Sequence, residues 1–426
     1  MPSSNVLIIA YYFPPMGLSG VQRILKFVKY LPDYGWNPII LTSNPVAYYA
    51  FDETLSADIG INTPIYRTDE DITKFAKKKN NSTINYPSKF AKNIQSKLLQ
   101  TFILPDSRRS WLKLALKKAE EVFANHRIDL IFATAPPFTD FLVAKALSEK
   151  YDIPYTIDYR DLWADNPYYF YPTFFHKNYA INLEQRILET TSRAIVITRD
   201  MKNALLNRYR FLNHNDVAII PHGYDREDFE NNKQKIQSNG KMVITHSGIF
   251  SADLTPIPFL KAVKMLFRES PKIGEQIEFR FLGLLQKQYQ RKIAKLKFAD
   301  AFNLLGYVEH SEVIRHLLSS DLLWLMFPKP IVTPSRFYEY LGANKPILVS
   351  SYPNEITKIA ESTGASFITK PFDSKEIKKS IVTAFKLWDK NALPTPNKAI
   401  TDKFDRKYLS NLLSLELANS LKTKLS

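Results

Sequence analysis

The segment Pro334–Leu341 has residue types and a spacing that suit a phosphorylated ligand. Arg336 and Glu339 are three residues apart, the spacing of neighbours on one face of a helix. The preceding Pro334–Ser335 pair offers a fixed φ and an N-cap hydroxyl, so we expect a helix to begin there. Its first N–H groups and the Arg336 guanidinium suit a phosphate, whereas Glu339 suits the vicinal hydroxyls of a sugar. A nucleoside diphosphate needs both contacts; the alternative is an ordinary exposed ion pair.

A second cluster of charged residues, Asp158, Arg160 and Asp161, follows a short apolar strand. Trp163 lies next to it and offers an aromatic platform. Two carboxylates around an arginine could orient an acceptor hydroxyl and stabilise a departing phosphate. A purely structural group of ion pairs is an equally good interpretation.

Two loops of small residues follow predicted strands. Gly17–Gly20 comes after the first strand, and Thr245–Gly248 comes after the first strand of the second half. Each could bring backbone N–H groups to a phosphate. Glycines at such turns also serve geometry alone, so neither loop is specific by itself.

The elements that position these motifs alternate between short apolar strands and helices. This order predicts an α/β protein with two doubly wound, Rossmann-like domains that face each other across a cleft. The polar stretch Asp225–Gly240 interrupts the order. We therefore predict a first domain over 1–225, a linker over 226–240, a second domain over 241–400 and a helical tail over 401–426 that packs back on the first domain. Ligands are expected at the carboxyl ends of the strands.

The length and composition indicate two domains and exclude several kinds of site. A chain of 426 residues suits two domains. The absence of cysteine excludes disulfides and thiolate metal sites, and the seven histidines show no zinc-hydrolase pattern. No apolar run reaches the roughly 20 residues of a membrane helix, so we do not expect an integral membrane protein.

The net charge of +16 requires an anionic partner or a solvated basic surface. The densest basic region is Lys74–Lys97, in which apolar residues recur at roughly helical spacing from Phe90. A basic amphipathic helix can lie on an anionic membrane surface, and an ordinary solvated helix face is the alternative. Nucleic acid is not expected as a partner, because no helix-turn-helix, zinc-finger or RNP-like pattern occurs.

A set of motifs in a fixed order resembles the GT-B glycosyltransferases and is most similar to glycosyltransferase family 4. The resemblance spans nearly the whole chain and is carried by Tyr12–Pro15, Ser19–Arg23, Pro105–Asp106, Asp158–Trp163, Ile220–Asp225, Ser247–Gly248, Gly306–Val308 and Pro334–Leu341.

The resemblance implies a retaining hexosyltransferase of class EC 2.4. It would move a sugar from a nucleotide-diphosphate donor to a cell-surface polysaccharide or glycolipid acceptor, with no cofactor and no obligatory metal. By the same resemblance the first domain binds the acceptor and the second binds the nucleotide sugar.

Site residues also follow from the resemblance. Glu339 would bind the ribose hydroxyls, and Tyr307–Val308 would lie against the base. The diphosphate would be contacted by Gly20, Gly248 and Arg336, and Ser335 would also belong to the nucleotide-sugar site. Asp158, Arg160 and Asp161 would sit near the reacting sugar and the acceptor.

The sequence departs from the family pattern in three places. Ile331 stands where the family has the first of two glutamates. The family's glycine–arginine pair appears as Gly248–Ile249, with no lysine before Lys261, so Arg336, with Arg160 or Arg23, would supply the positive charge. Arg160 takes the place of a frequent histidine, and no general base is assigned.

Two other functions fit the same fold. A nucleotide-sugar 2-epimerase would share both domains. A non-catalytic partner subunit would explain Ile331 and the small number of cations available to bind the diphosphate. For the transferase we expect a cytoplasmic protein, docked through Lys74–Lys97 on the inner face of the plasma membrane.

Overall fold

The computed structural model describes residues 3–17, 19–45, 51–68, 105–167, 169–232, 236, 240–250, 254–329 and 333–423. The chain divides into two compact units, Met1–Pro221 with Leu409–Ser426, and His222–Tyr408. These divisions fall at 221 and 408, against predicted boundaries at 225 and 400. The predicted linker begins with a short helix, Arg226–Asn231.

The first unit is built on a seven-stranded parallel sheet with the order β3-β2-β1-β4-β5-β6-β7. Its strands are β1 Ser4–Ile9, β2 Trp36–Thr42, β3 Ile65–Arg67, β4 Leu130–Ala135, β5 Tyr155–Tyr159, β6 Arg193–Val196 and β7 Val217–Ile219. Its helices are α1 Ser19–Tyr30, α2 Trp111–Asn125, α3 Thr139–Tyr151, α4 Phe174–Leu188, α5 Arg199–Arg208 and, from the end of the chain, α15 Arg406–Thr423.

The last helix completes the core of the first unit. Leu409, Leu413 and Leu417 are fully buried and recur every four residues, so they form one apolar stripe on α15. That stripe packs in the same cluster as residues of β1 and β4. Covering the sheet in this way explains why Leu409–Ser426 belongs to the first unit although it is distant in sequence.

The second unit is built on a six-stranded parallel sheet with the order β10-β9-β8-β11-β12-β13. Its strands are β8 Met242–Ser247, β9 Ile277–Leu282, β10 Phe302–Gly306, β11 Leu322–Phe327, β12 Ile347–Ser351 and β13 Ser366–Thr369. Its helices are α6 Arg226–Asn231, α7 Ile257–Glu269, α8 Pro271–Gly274, α9 Lys287–Ala294, α10 His310–Leu318, α11 Arg336–Gly342, α12 Glu355–Ser362, α13 Ser374–Asp389 and α14 Lys398–Thr401.

The central strands show why both sheets form. Every residue of β4 and β11 is buried, as expected for parallel strands with helices on both faces. The two sheets confirm the predicted fold class of two Rossmann-like domains. Their strand order reverses direction between β1 and β4 and between β8 and β11, and ligands bind outside the carboxyl ends of strands at such points. Within the described residues, no helix has the length and apolar character needed to cross a membrane.

Candidate functional site

Arg336 and Gly248 meet at the switch point of the second sheet. Gly248 follows β8, and Arg336 is the first residue of α11, the helix that follows β11. The backbone of Gly248 has φ +153°, and a Cβ built there would lie 2.7 Å from Cζ of Arg336. Only glycine therefore lets the guanidinium lie against this backbone. The structure brings together two of the predicted diphosphate contacts.

The Arg336 side chain is half-buried, and the described part of the chain offers it neither a hydrogen bond nor an ion pair. Buried charges in proteins are normally paired. A guanidinium held against a glycine backbone with its donors unused is typical of a site that receives an anion. The arrangement suits a phosphate.

A row of three glycines extends along the carboxyl edge of the second sheet. Gly283 follows β9 with φ +104°, and Gly306 ends β10 with φ +70°. The Gly283 N–H donates to the Gly306 carbonyl at 2.6 Å, and a Cβ on Gly283 would lie 2.8 Å from the carbonyl carbon of Gly248. The three loops approach each other more closely than side chains would allow. Gly283 was not predicted as a site residue, although its place directly after a strand resembles that of Gly248.

A hydrogen-bond network fixes the loop after β8 against α11. The Ser247 N–H donates to the Tyr340 hydroxyl at 2.7 Å, and that hydroxyl donates to the Trp324 carbonyl at 3.3 Å. The same carbonyl lies 2.9 Å from Nδ1 of His246. All four residues are buried. Because α11 carries Arg336, this network holds the guanidinium in register with Gly248.

His246 is neutral in this environment. Burial, together with the charge of Arg336, lowers its pKa to about 3, although the bond to the Trp324 carbonyl opposes the shift. Nδ1 therefore carries the proton that it donates to that carbonyl. The ring stacks on Phe250 with centroids 4.3 Å apart. His246 supports the loop without adding a second positive charge beside Arg336.

Glu339 lies one turn after Arg336 and is only 7% exposed. Its Oε1 is 3.7 Å from Nε2 of His310, and Nδ1 of His310 is 4.0 Å from Asp228. Burial alone would raise the pKa of Glu339, but His310, Arg336 and Arg406 together hold that pKa below its ordinary value. Glu339 is therefore ionised at neutral pH and can accept hydrogen bonds. His310 was missed at the sequence level, since nothing local distinguishes it.

The other residues predicted to contact the nucleotide are Ser335, Tyr307 and Val308. Ser335 stands at the N-cap position, but its backbone is helical and its side chain makes no capping bond, so the expected N-cap hydroxyl was wrong. Tyr307 and Val308 are partly buried and lie between β10 and His310, the first residue of α10. Ile331 lies outside the described residues, as does Lys74–Lys97.

In the first unit, Asp158 is fully buried at the end of β5 and pairs with Arg23, which is 1% exposed. Oδ1 accepts from Nη2 of Arg23 at 2.8 Å, and Oδ2 accepts from Nε at 3.0 Å and from Thr134 at 2.8 Å. Arg23 also donates to the carbonyls of Ile220 and Pro221. Two expectations need correction. Asp158 is enclosed by its hydrogen-bond partners, so it is not exposed to a substrate as expected. Arg23 is buried in an ion pair with Asp158, so it is not available to bind a phosphate.

Arg160 binds backbone carbonyls from two loops of the first unit. Its guanidinium donates to the carbonyls of Gly20, Ala135 and Pro136. Burial lowers the pKa of Arg160, and neighbouring carboxylates oppose that shift. Gly20 lies in the first turn of α1, and a Cβ there would lie 3.0 Å from Nη1 of Arg160. The two residues thus meet at the carboxyl edge of the first sheet, where Arg160 joins the loops after β1 and β4.

Asp161 is the most exposed residue of the charged cluster, although the protein still surrounds much of its carboxyl group. The protein around its carboxyl group removes enough water to raise the pKa to about 6, and Arg160 opposes the rise. A carboxyl group with such a pKa can exchange protons near neutrality. Trp163, by contrast, is fully buried and stacks on Phe138 with centroids 4.9 Å apart, so the expectation of an aromatic platform was wrong.

The chain was compared with known protein families and solved structures. The family model of Glycosyltransferase Family 4 matches residues 85–228, about a third of the chain. Anabaena HepE, solved in complex with UDP and glucose, aligns with a TM-score of 0.64 at 16% identity and covers 97% of this chain and 99% of its own. The chain has the GT-B fold.

Two further solved structures share this GT-B fold. Sucrose-phosphate synthase from Thermosynechococcus elongatus has a TM-score of 0.60 at 12% identity and covers 99% of this chain and 98% of its own. A Listeria monocytogenes protein described as a candidate UDP-N-acetylglucosamine 2-epimerase has a TM-score of 0.58 at 13% identity, with 99% and 97% covered. A search of curated proteins found no match.

Replacing Glu339 with glutamine tests the prediction that it contacts a ribose. We expect nucleotide affinity to fall by about 10- to 100-fold, because a charged hydrogen-bond acceptor is lost while the volume is kept. Calorimetric titration with UDP measures the change, and Glu361→Gln on the exposed face of α12 is the matched control. Because the pKa of Glu339 is lowered, its contribution should persist from pH 7 to below its ordinary value of 4.5. Unchanged affinity in Glu339→Gln would remove this residue from the site.

Proposed function

We propose that this protein is a family 4-like glycosyltransferase that transfers a sugar from a nucleotide-diphosphate donor, with retention of configuration, to a saccharide or lipid-linked acceptor. The observation that carries the proposal is the half-buried Arg336 guanidinium, which lies against Gly248 one helical turn before the ionised Glu339. One group suits the diphosphate and the other suits the ribose hydroxyls of a nucleoside diphosphate.

The neighbourhood of these two residues supports a nucleotide. Tyr307–Val308 precede α10, whose first residue His310 lies beside Glu339, so a base against Tyr307 would continue from a ribose at Glu339. The glycine row leaves the edge of β8, β9 and β10 without side chains where a diphosphate would approach. HepE, which shares the fold, was solved with UDP and glucose. We therefore propose a UDP-type donor sugar.

The transfer itself requires charge stabilisation and the movement of one proton. The bond between the sugar C1 and the leaving phosphate oxygen breaks, and a bond from C1 to the acceptor oxygen forms. Arg336 would stabilise the departing diphosphate, which gains negative charge in this step. The acceptor proton would pass to the leaving phosphate oxygen, so the step balances without a separate general base. The proposal needs no cofactor and no metal.

The acceptor is proposed to belong to a cell-surface polysaccharide or glycolipid. An acceptor held in a membrane would be met at the membrane surface, so we propose a peripheral location on the inner face of the plasma membrane. The proposed docking region, Lys74–Lys97, is basic and carries apolar residues between its lysines.

A thermal-shift panel with UDP, GDP and their sugars tests the donor. At about 100-fold excess over the dissociation constant, a ligand stabilises the folded protein by about 2.7 kcal/mol, which corresponds to a rise in Tm of about 5–10 °C for a unit of this size. We expect UDP and a UDP-sugar to give such a shift. If no member of the panel shifts the Tm, the nucleotide assignment is wrong.

A nucleotide-sugar 2-epimerase is the second candidate, since the Listeria protein with the same fold is described as one. Incubation with a UDP-sugar in the absence of an acceptor separates the two functions. An epimerase would release an epimer or a free sugar, whereas the proposed transferase would leave most of the donor intact. Tight nucleotide binding with neither outcome, even with acceptors present, would indicate a non-catalytic partner subunit.

A further inference from the structure

A basic groove lies at the amino edge of the second sheet. Lys241, Glu275 and Asp300 line it, and they come one or two residues before β8, β9 and β10. The glycine row occupies the opposite, carboxyl ends of the same three strands. Six residues of parallel strand span about 20 Å, so the groove is separate from the candidate nucleotide site.

Six cations surround this groove: Lys241, Lys261, Lys264, Arg268, Lys295 and Lys297. Two carboxylates, Glu275 and Asp300, also line it. Arg268 pairs with Glu269, but the described residues provide no ion-pair partner for any of the five lysines. The groove is therefore strongly positive, and an anionic ligand would complement it.

The floor of the groove is apolar. Phe267 and Phe298 stack with centroids 4.0 Å apart, and Met265 and Leu296 lie beside them in the lining. The volume of about 1060 Å³ exceeds what a single phosphate or a small metabolite fills. A concave floor of this kind suits a chain of ring-shaped units better than it suits a flat membrane surface.

We propose that this groove binds an acidic oligosaccharide, a chain of sugars that carry carboxylate or phosphate groups. The C–H faces of sugar rings would pack on the apolar floor, and the anionic substituents would meet the lysines. The proposal rests on the proposed sugar transfer for the saccharide nature of the ligand. It deepens that function, because a growing acidic polymer held here would remain bound between transfers at the other edge of the sheet.

The test is binding of a fluorescently labelled oligogalacturonate, read by anisotropy. We expect saturable binding that weakens at high salt, with no binding of a neutral malto-oligosaccharide. The double variant Lys261→Glu with Lys264→Glu should weaken binding by at least about tenfold, since two attractive charges become repulsive. The matched control is Lys358→Glu with Lys390→Glu, two exposed lysines of the same unit outside the groove, and it should bind like the unmodified protein.

Equal weakening by both double variants would mean a general effect of net charge and would overturn the proposal. So would a failure of the unmodified protein to bind the oligogalacturonate, or binding of labelled RNA or anionic vesicles at the groove in its place. Titration with UDP in parallel separates this result from the proposed function. A protein that binds UDP but not the oligogalacturonate keeps its donor site and loses only the groove as a polymer site.

Discussion

Replacing Arg336 with alanine is expected to lower sugar transfer by at least about 100-fold while the protein stays folded. The guanidinium is half-buried against Gly248, and no hydrogen bond or ion pair within the described residues ties it to the fold. Its removal should therefore cost little stability. The diphosphate would lose its main cation, because the family's glycine–arginine pair is replaced here by Gly248–Ile249. Initial rates with a UDP-sugar and the melting temperature measure the two effects.

Two controls sharpen this result. Arg336→Lys keeps the charge but loses the planar fork, so we expect it to recover part of the affinity and little of the rate. Arg315→Ala removes a partly exposed arginine of α10 that pairs with Glu312, and it should leave turnover unchanged. Near-normal transfer by Arg336→Ala would show that other residues bind the diphosphate and would remove Pro334–Leu341 from the mechanism.

Replacing Asp158 with asparagine is expected to destabilise the first unit by about 3–5 kcal/mol. The change leaves the fully buried Arg23 guanidinium without its anion, and the carbonyls of Ile220 and Pro221 cannot neutralise it. For a unit of this size the loss corresponds to a fall in Tm of about 6–20 °C. Scanning calorimetry of the full chain measures it.

An exposed ion pair provides the comparison. Glu121 pairs with Lys118 on the surface of α2, and Glu121→Gln should change stability by less than about 1 kcal/mol. The interpretation of Asp158 as a structural residue predicts that activity falls only as far as the folded fraction does. If Asp158→Asn kept its melting temperature and lost turnover, Asp158 would act in the chemistry and the structural interpretation would be wrong.

The outline of the fold could be predicted because local patterns carry it. Strand β11, Leu322–Phe327, is apolar throughout, and such a run is stable only where helices cover both faces of a parallel sheet. The start of α11 at Arg336 followed from the Pro334–Ser335 pair, although Ser335 supplies no side-chain cap. Helix periodicity alone placed Arg336 and Glu339 in one turn.

The partners of the charged residues could not be predicted, because they depend on strand order. Arg23 and Asp158 are 135 residues apart and meet because β1, β4 and β5 are neighbours in the sheet. In the same way, His310 reaches Glu339 from another helix, and Gly283 reaches Gly248 from the adjacent strand. Side chains that looked equivalent in the sequence, Asp158 and Asp161, therefore differ in burial and in what they can do.

The sequence by itself determined the two parallel sheets, the helix that carries Arg336 and Glu339, and the positions after strands where ligands are expected. These features follow from hydrophobic periodicity and turn chemistry, which act over a few residues. Only the tertiary structure decided which charged side chains form buried ion pairs and which can still bind a ligand. It enclosed Arg23 with Asp158 and left Arg336 against Gly248 with its donors unused among the described residues. The physical reason is that desolvation and pairing are set by the elements packed around a charge, and residues far apart in the chain bring those elements together.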